Sequence, residues 1–181
     1  LIRDVLRGET IMNIPATHCL SFSAVQAHVA EDGCPCFSDD AFQTLQESGL
    51  SPESIIMYYL VNCRFTLNKA MDRNCWWSVF VNALSLAEPQ PLGDEYQETL
   101  QELKSEYQQL FPALSDASPD LFPQHVFTWD HIRWAADVLQ SRQIQVPADS
   151  ESHPCDSVIV FPLVHMLSRS AVAPTQFVYN R

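Results

Sequence analysis

A chain of 181 residues, 46% of them hydrophobic, is long enough for one globular domain with a core of its own. Twenty-two acidic against ten basic residues give a formal charge of −12. This excludes broad nonspecific nucleic-acid binding, which needs clustered Lys and Arg, and leaves local basic spots or a basic protein partner. Four Gly against twelve Pro, with no G-x-G-x-x-G or G-K-[ST] string, exclude glycine-rich phosphate loops, and no apolar run approaches the ~20 residues that span a bilayer.

Residues 4–15 read as a turn at Gly8 followed by a strand, in which Thr10, Met12 and Ile14 alternate with Ile11 and Asn13 until Pro15 ends the run. The six cysteines, Cys19, Cys34, Cys36, Cys63, Cys75 and Cys155, show no C-x₂-C pair and no His at zinc-finger distance. Cys34-Pro-Cys36 reads as a polar surface loop rather than a metal site. A chain of this size needs no disulfide framework, so an intracellular reducing compartment, mitochondrial or cytoplasmic, is expected, and not secretion. A helix is expected over Asp40–Ser48, closed by Gly49. Ser51-Pro52-Glu53 starts another, with a serine cap, proline in the first turn and an acid beside it. Ile55, Ile56, Tyr59, Leu60, Cys63, Leu67 and Met71 follow its period.

The segment Cys75-Trp76-Trp77-Ser78-Val79-Phe80 reads as structural, because aromatic rings supply much of a small domain's burial. A third helix begins near Asp94 with the apolar stripe Tyr96, Leu100, Leu103, Tyr107 and Leu110; Glu98, Glu102 and Glu106 fall off the stripe and read as a solvated face. Thr128 caps a fourth helix from Trp129 to about Arg142, apolar on most sides through Trp134, Ala135, Ala136, Val138 and Leu139. An exposed acidic excursion is expected at Asp149–Asp156. Val158-Ile159-Val160-Phe161 then reads as a short buried strand, and Pro162–Ser170 as a loop that presents polar groups at a pocket. The chain opens at Leu1 without a methionine and stops just after Phe177-Val178-Tyr179; both ends are expected to be cut.

Several of these strings resemble, in order, segments of the SET-domain protein methyltransferases, in the branch of the Rubisco large-subunit and actin-histidine enzymes. Pro162-Leu163-Val164-His165-Met166-Leu167-Ser168-Arg169-Ser170 is similar to the family's V-V-P-x-x-D-L-x-N-H-S, with His165, Ser168 and Arg169 in place of Asp, Asn and His. Asp4, Gly8, Glu9, Ile11, Met12, Ile14 and Pro15 match D-L-x-K-G-D-V-V-L-x-V-P; Trp77, Phe80 and Leu84 match a W-x-x-Y/F segment followed by L-P, with Ser85 for the proline; Ser141-Arg142 matches the end of the x-S-R-x-F helix, with Ile144 for the aromatic. The resemblance implies an α+β fold, a SET-like β core interrupted by a large helical insert that dominates this fragment. It implies one SET-like domain over 1–181, with the mainly helical insert at 38–142 and the signature strand and loop at 157–181.

The family transfers a methyl group from S-adenosylmethionine to lysine or histidine. The resemblance makes Arg142, Ser168 and Arg169 vestigial cofactor-binding candidates, with Arg142 near the cofactor's carboxylate, where a guanidinium fork fits. The alternative for Arg142 is an arginine at a helix C-terminus, favoured by the dipole. Ser168 for Asn loses a hydrogen bond to a charged group, about 1.5–3 kcal/mol. Arg169 sets a cation near a sulfonium, and His165 removes an anion that would offset it. The family's G-x-G segment and C-terminal tyrosine segment lie outside these residues. No catalytic residue, metal or bound cofactor is expected. The expected function is a catalytically inactive, SET-like structural or assembly component of a larger complex, such as an organellar ribonucleoprotein. It would meet protein subunits, with RNA touched only through local basic spots. The alternative is an active S-adenosylmethionine-dependent protein methyltransferase completed by segments beyond this chain.

Overall fold

The computed structural model describes residues 9–10, 13–14, 19–30, 37–66, 94–145 and 158–160. They form five helices and one short ladder: α1 (Phe22–Ala30), α2 (Asp39–Glu47), α3 (Pro52–Thr66), α4 (Asp94–Ala117), α5 (Trp129–Arg142), β1 (Gln143–Gln145) and β2 (Val158–Val160).

Local chemistry sets the helix ends. The Ser38 hydroxyl accepts from the Ala41 amide at 3.2 Å and starts α2. Gly49, at φ 75°, turns the chain out of α2, and its amide donates to the Gln46 carbonyl at 3.0 Å. Ser51 caps α3 by accepting from the Ser54 amide at 3.1 Å, and Thr128 caps α5 by accepting from the His131 amide at 3.3 Å. The helix α4 runs on through Pro112, which has no N–H to give to the carbonyl four residues earlier. Helix α1 is not among the helices expected from the sequence. Its signal is slight: Ser21 accepts from the Ala24 amide at 3.2 Å, and Phe22, Val25 and Val29 are its buried residues.

The core is built around α3. Ile55, Ile56, Tyr58, Tyr59, Leu60, Val61, Asn62 and Cys63 are all buried, so this helix is enclosed on nearly every side rather than along one stripe. Helices α1, α2 and α5 pack on it, and α4 packs on α5. Aromatic rings join the layers. Tyr58 stacks on Phe127 at 5.5 Å between centroids and meets Phe122 edge-on at 6.4 Å; Tyr107 stacks on Phe111 at 5.0 Å.

The connection from α4 to α5 is held by side chains. Tyr107 donates to the Phe127 carbonyl at 2.8 Å, and Ser115 donates to the Phe122 carbonyl at 2.9 Å. His131 Nδ1 lies 2.6 Å from the Val126 carbonyl, which only accepts, so this nitrogen carries the proton. Residues 118–128 thereby seat Phe122 and Phe127, both fully buried, as core side chains.

The expected SET-like β core is not what these residues form, and the α+β assignment is corrected: the described part is helical. Among the described residues, β-structure amounts to β1 paired antiparallel with β2 (Gln143 opposite Val160, Gln145 opposite Val158) and a bridge from Val160 to Leu20. Both backbone hydrogen bonds of that bridge measure 2.9 Å. Three-residue strands are too short to offer a sheet face. Most core side chains come from helices, joined by Phe122 and Phe127 of the α4–α5 connection, and the ladder joins distant parts of the chain. The expected strand at 158–160 is present. The expected early strand falls at 4–15, of which only 9–10 and 13–14 are described, and these carry no regular structure.

Candidate functional site

Arg142 is the last residue of α5, directly before β1, and Ser141 ahead of it donates back to the Asp137 carbonyl at 2.7 Å. The other two expected site residues, Ser168 and Arg169, lie outside the described residues, as do His165, Cys34, Cys36 and the Trp76–Trp77 pair. No group of three or more His, Cys, Asp or Glu side chains among the described residues is placed to hold a metal ion. No helix among them is long and apolar enough to cross a membrane.

What the fold does assemble is a groove where α3, α4 and α5 meet, about 210 Å³ in volume and open on one side. Its floor is a small apolar cluster: Tyr96, Leu100 and Ala136 are buried, with Met57 and Leu103 packed against them. Its banks carry Glu53 from α3 and Glu102 and Glu106 from α4. Glu53 and Glu102 are exposed, and Glu106 is half-buried. Among the described residues, the lining includes no Lys or Arg.

Glu106 is fixed in place. The Ser51 hydroxyl donates to the Ser54 hydroxyl at 3.0 Å, and Ser54 donates to Glu106 Oε1 at 3.1 Å. The first serine is the cap of α3, so the same residue that starts this helix also orients the carboxylate across the groove. Beneath the groove, Tyr96 donates to Asp137 Oδ1 at 2.7 Å and ties α4 to α5. Burial pushes the Tyr96 phenol well above the usual tyrosine range, and its bond to Asp137 adds to the shift.

A second polar cluster sits at the end of α3. The Arg64 guanidinium lies 4.3 Å from the Trp134 ring centre and 5.2 Å from that of Phe65, and Phe65 stacks on His131 at 3.5 Å. The arginine covers aromatic surface here, and burial lowers its pKa.

From sequence, Glu102 and Glu106 read as a solvated face. The exposed Glu102 fits that reading. Glu106 does not, because its partner Ser54 comes from a helix fifty-two residues away in sequence. The sequence carries one signal for it, the string Glu98, Glu102, Glu106, whose like charges at i, i+4 repel along a helix by roughly 0.2–0.5 kcal/mol per pair. The fold and groove define a helical domain with an acid-banked cleft. No protein-family model, curated protein or solved structure matches the chain.

Proposed function

We propose that this chain is a non-catalytic structural component, a helical body that holds protein subunits in a larger assembly. The observation that carries the reading is how the reactive side chains of the helical body are employed. Tyr96, Tyr107, Ser115 and His131 each hold one element against another, through Asp137 and the carbonyls of Phe127, Phe122 and Val126. Groups committed in this way order the core and are poorly placed to take up or release a proton in a reaction. The rigid body they produce presents a long polar surface on α4, where Gln97, Glu98, Gln101, Glu102, Ser105, Gln108 and Gln109 are all exposed. The net charge of −12 selects proteins with basic surfaces over RNA as partners. An intracellular, reducing location, mitochondrial or cytoplasmic, belongs to the same proposal.

Two measurements test it. Native protein from gently lysed cells, run on a density gradient, sediments far ahead of a monomer of its own mass if it is an assembly component. Calorimetric titration with S-adenosylmethionine gives no heat at millimolar cofactor. Monomeric sedimentation, or micromolar binding of the cofactor, refutes the proposal.

A further inference from the structure

We infer that the α3–α4–α5 groove is the docking site for a basic segment of a partner protein, with Glu106 accepting from its Lys or Arg side chain. This rests on the assembly reading above and names the surface through which assembly occurs.

Three features of the groove fix the chemistry of its occupant. The floor is apolar, through Met57, Leu100, Leu103 and Ala136, so the occupant must bring apolar side chains or the stem of a long one. The banks carry glutamates from two different helices and, among the described residues, no cation. An acidic partner or a phosphate backbone would meet repulsion there, and a second copy of a chain with 22 acidic and 10 basic residues is a poor complement. Finally, Glu106 is preorganised. Ser54 is buried and holds one carboxylate oxygen at 3.1 Å, which reduces the entropy lost when a cation binds to the carboxylate.

The positions on α4 point the same way. Glu98, Glu102 and Glu106 are spaced four apart with no basic residue at i ± 3 or i ± 4 from Glu102 or Glu106, and repel one another. Lys104 stands between them in sequence but its Nζ lies 5.8 Å from the centre of the Trp129 ring. A cation brought by a partner would relieve the repulsion, which makes the charge row a source of binding free energy. An amphipathic basic helix laid in the groove meets all of these requirements, with apolar side chains on the floor and Lys or Arg at the banks.

The test uses the purified chain and a fluorescent amphipathic helical peptide of roughly 18 residues built from Leu and Lys, with a Leu/Glu peptide of the same pattern as control. Anisotropy titrations at low salt should show micromolar binding of the Leu/Lys peptide alone, weakened on raising salt to roughly 300 mM. Glu106→Gln should weaken binding about 5-fold and Glu102→Lys by at least as much. The pair Asp116→Lys and Asp120→Lys, exposed but away from the groove, changes the net charge more and should leave affinity within about twofold. Glu102 is exposed, so its variant keeps the test valid if Glu106→Gln unfolds the protein. Equal loss in the Asp116/Asp120 variant, unchanged binding in both groove variants, or binding of the Leu/Glu peptide each overturns the inference. If the native protein still sediments in a large complex while these titrations fail, the groove is the wrong surface and the assembly reading stands.

Discussion

Replacing Tyr107 by phenylalanine isolates the hydrogen bond that locks the α4–α5 connection. The ring is retained, so its stack on Phe111 at 5.0 Å and its contact with Trp129 at 5.7 Å survive. What goes is the donor 2.8 Å from the Phe127 carbonyl, on a residue with no exposed surface. The net value of a hydrogen bond is about 1 kcal/mol, but an acceptor left buried without a partner costs about 1–3 kcal/mol. A destabilisation near 2 kcal/mol follows, equivalent to a fall in Tm of about 4–8 °C for a domain of this size. Ser115→Ala makes the same cut at the Phe122 carbonyl, and since Ser115 is itself only 3% exposed, water has little access to replace it. The two hydroxyls hold one segment, so the double variant should lose less than the sum of the single losses. Urea unfolding followed by circular dichroism reads all three, with an unchanged m-value showing that the unfolded state is unaltered. Losses below about 0.5 kcal/mol for both single variants would refute the role given to this connection.

Gly49→Ala should cost about 1–2 kcal/mol. Its φ of 75° lies in the left-handed region, and no atom lies within 4 Å of an added Cβ, so the cost is that of the backbone alone. Gly49→Asn should cost less, and equal losses for the two would refute this cause. Alkaline pH should also weaken the fold. Burial pushes the Cys19 thiol up to about 11 from 9.0, and the phenols of Tyr58 and Tyr96 are raised for the same leading reason. Above about pH 9 the unfolded chain ionises first and holds fewer protons than the native one, so stability declines as pH rises from there through the raised native pKa values. Tyr96→Phe should flatten part of the decline; a urea midpoint constant from pH 8 to 11 would contradict it.

The resemblance to SET-domain methyltransferases illustrates where short strings mislead about architecture. Val158–Val160 is the strand expected from three consecutive β-branched residues, and the Ser141-Arg142 helix end is where it was placed. A strand by itself carries no statement about its partners. Val160 pairs with Gln143 on one side and Leu20 on the other, a choice made by residues far away in sequence. The described core around them is helical, with α3 wrapped by α1, α2 and α5.

Helices α2 to α5 were legible because their determinants are local. Ser51-Pro52-Glu53, Thr128 and Gly49 act on backbone groups within a few residues, and the stripe from Tyr96 to Leu110 follows from one helical period. The charge of −12 also follows from composition alone. The groove does not. Glu102 and Glu106 are separated by one turn, and from sequence both look solvated. Only the packing of α3 against α4 sets Ser54 beside Glu106 and turns one of the two into a fixed acceptor. That contact spans fifty-two residues, and its strength depends on burial and direction, which sequence spacing does not encode.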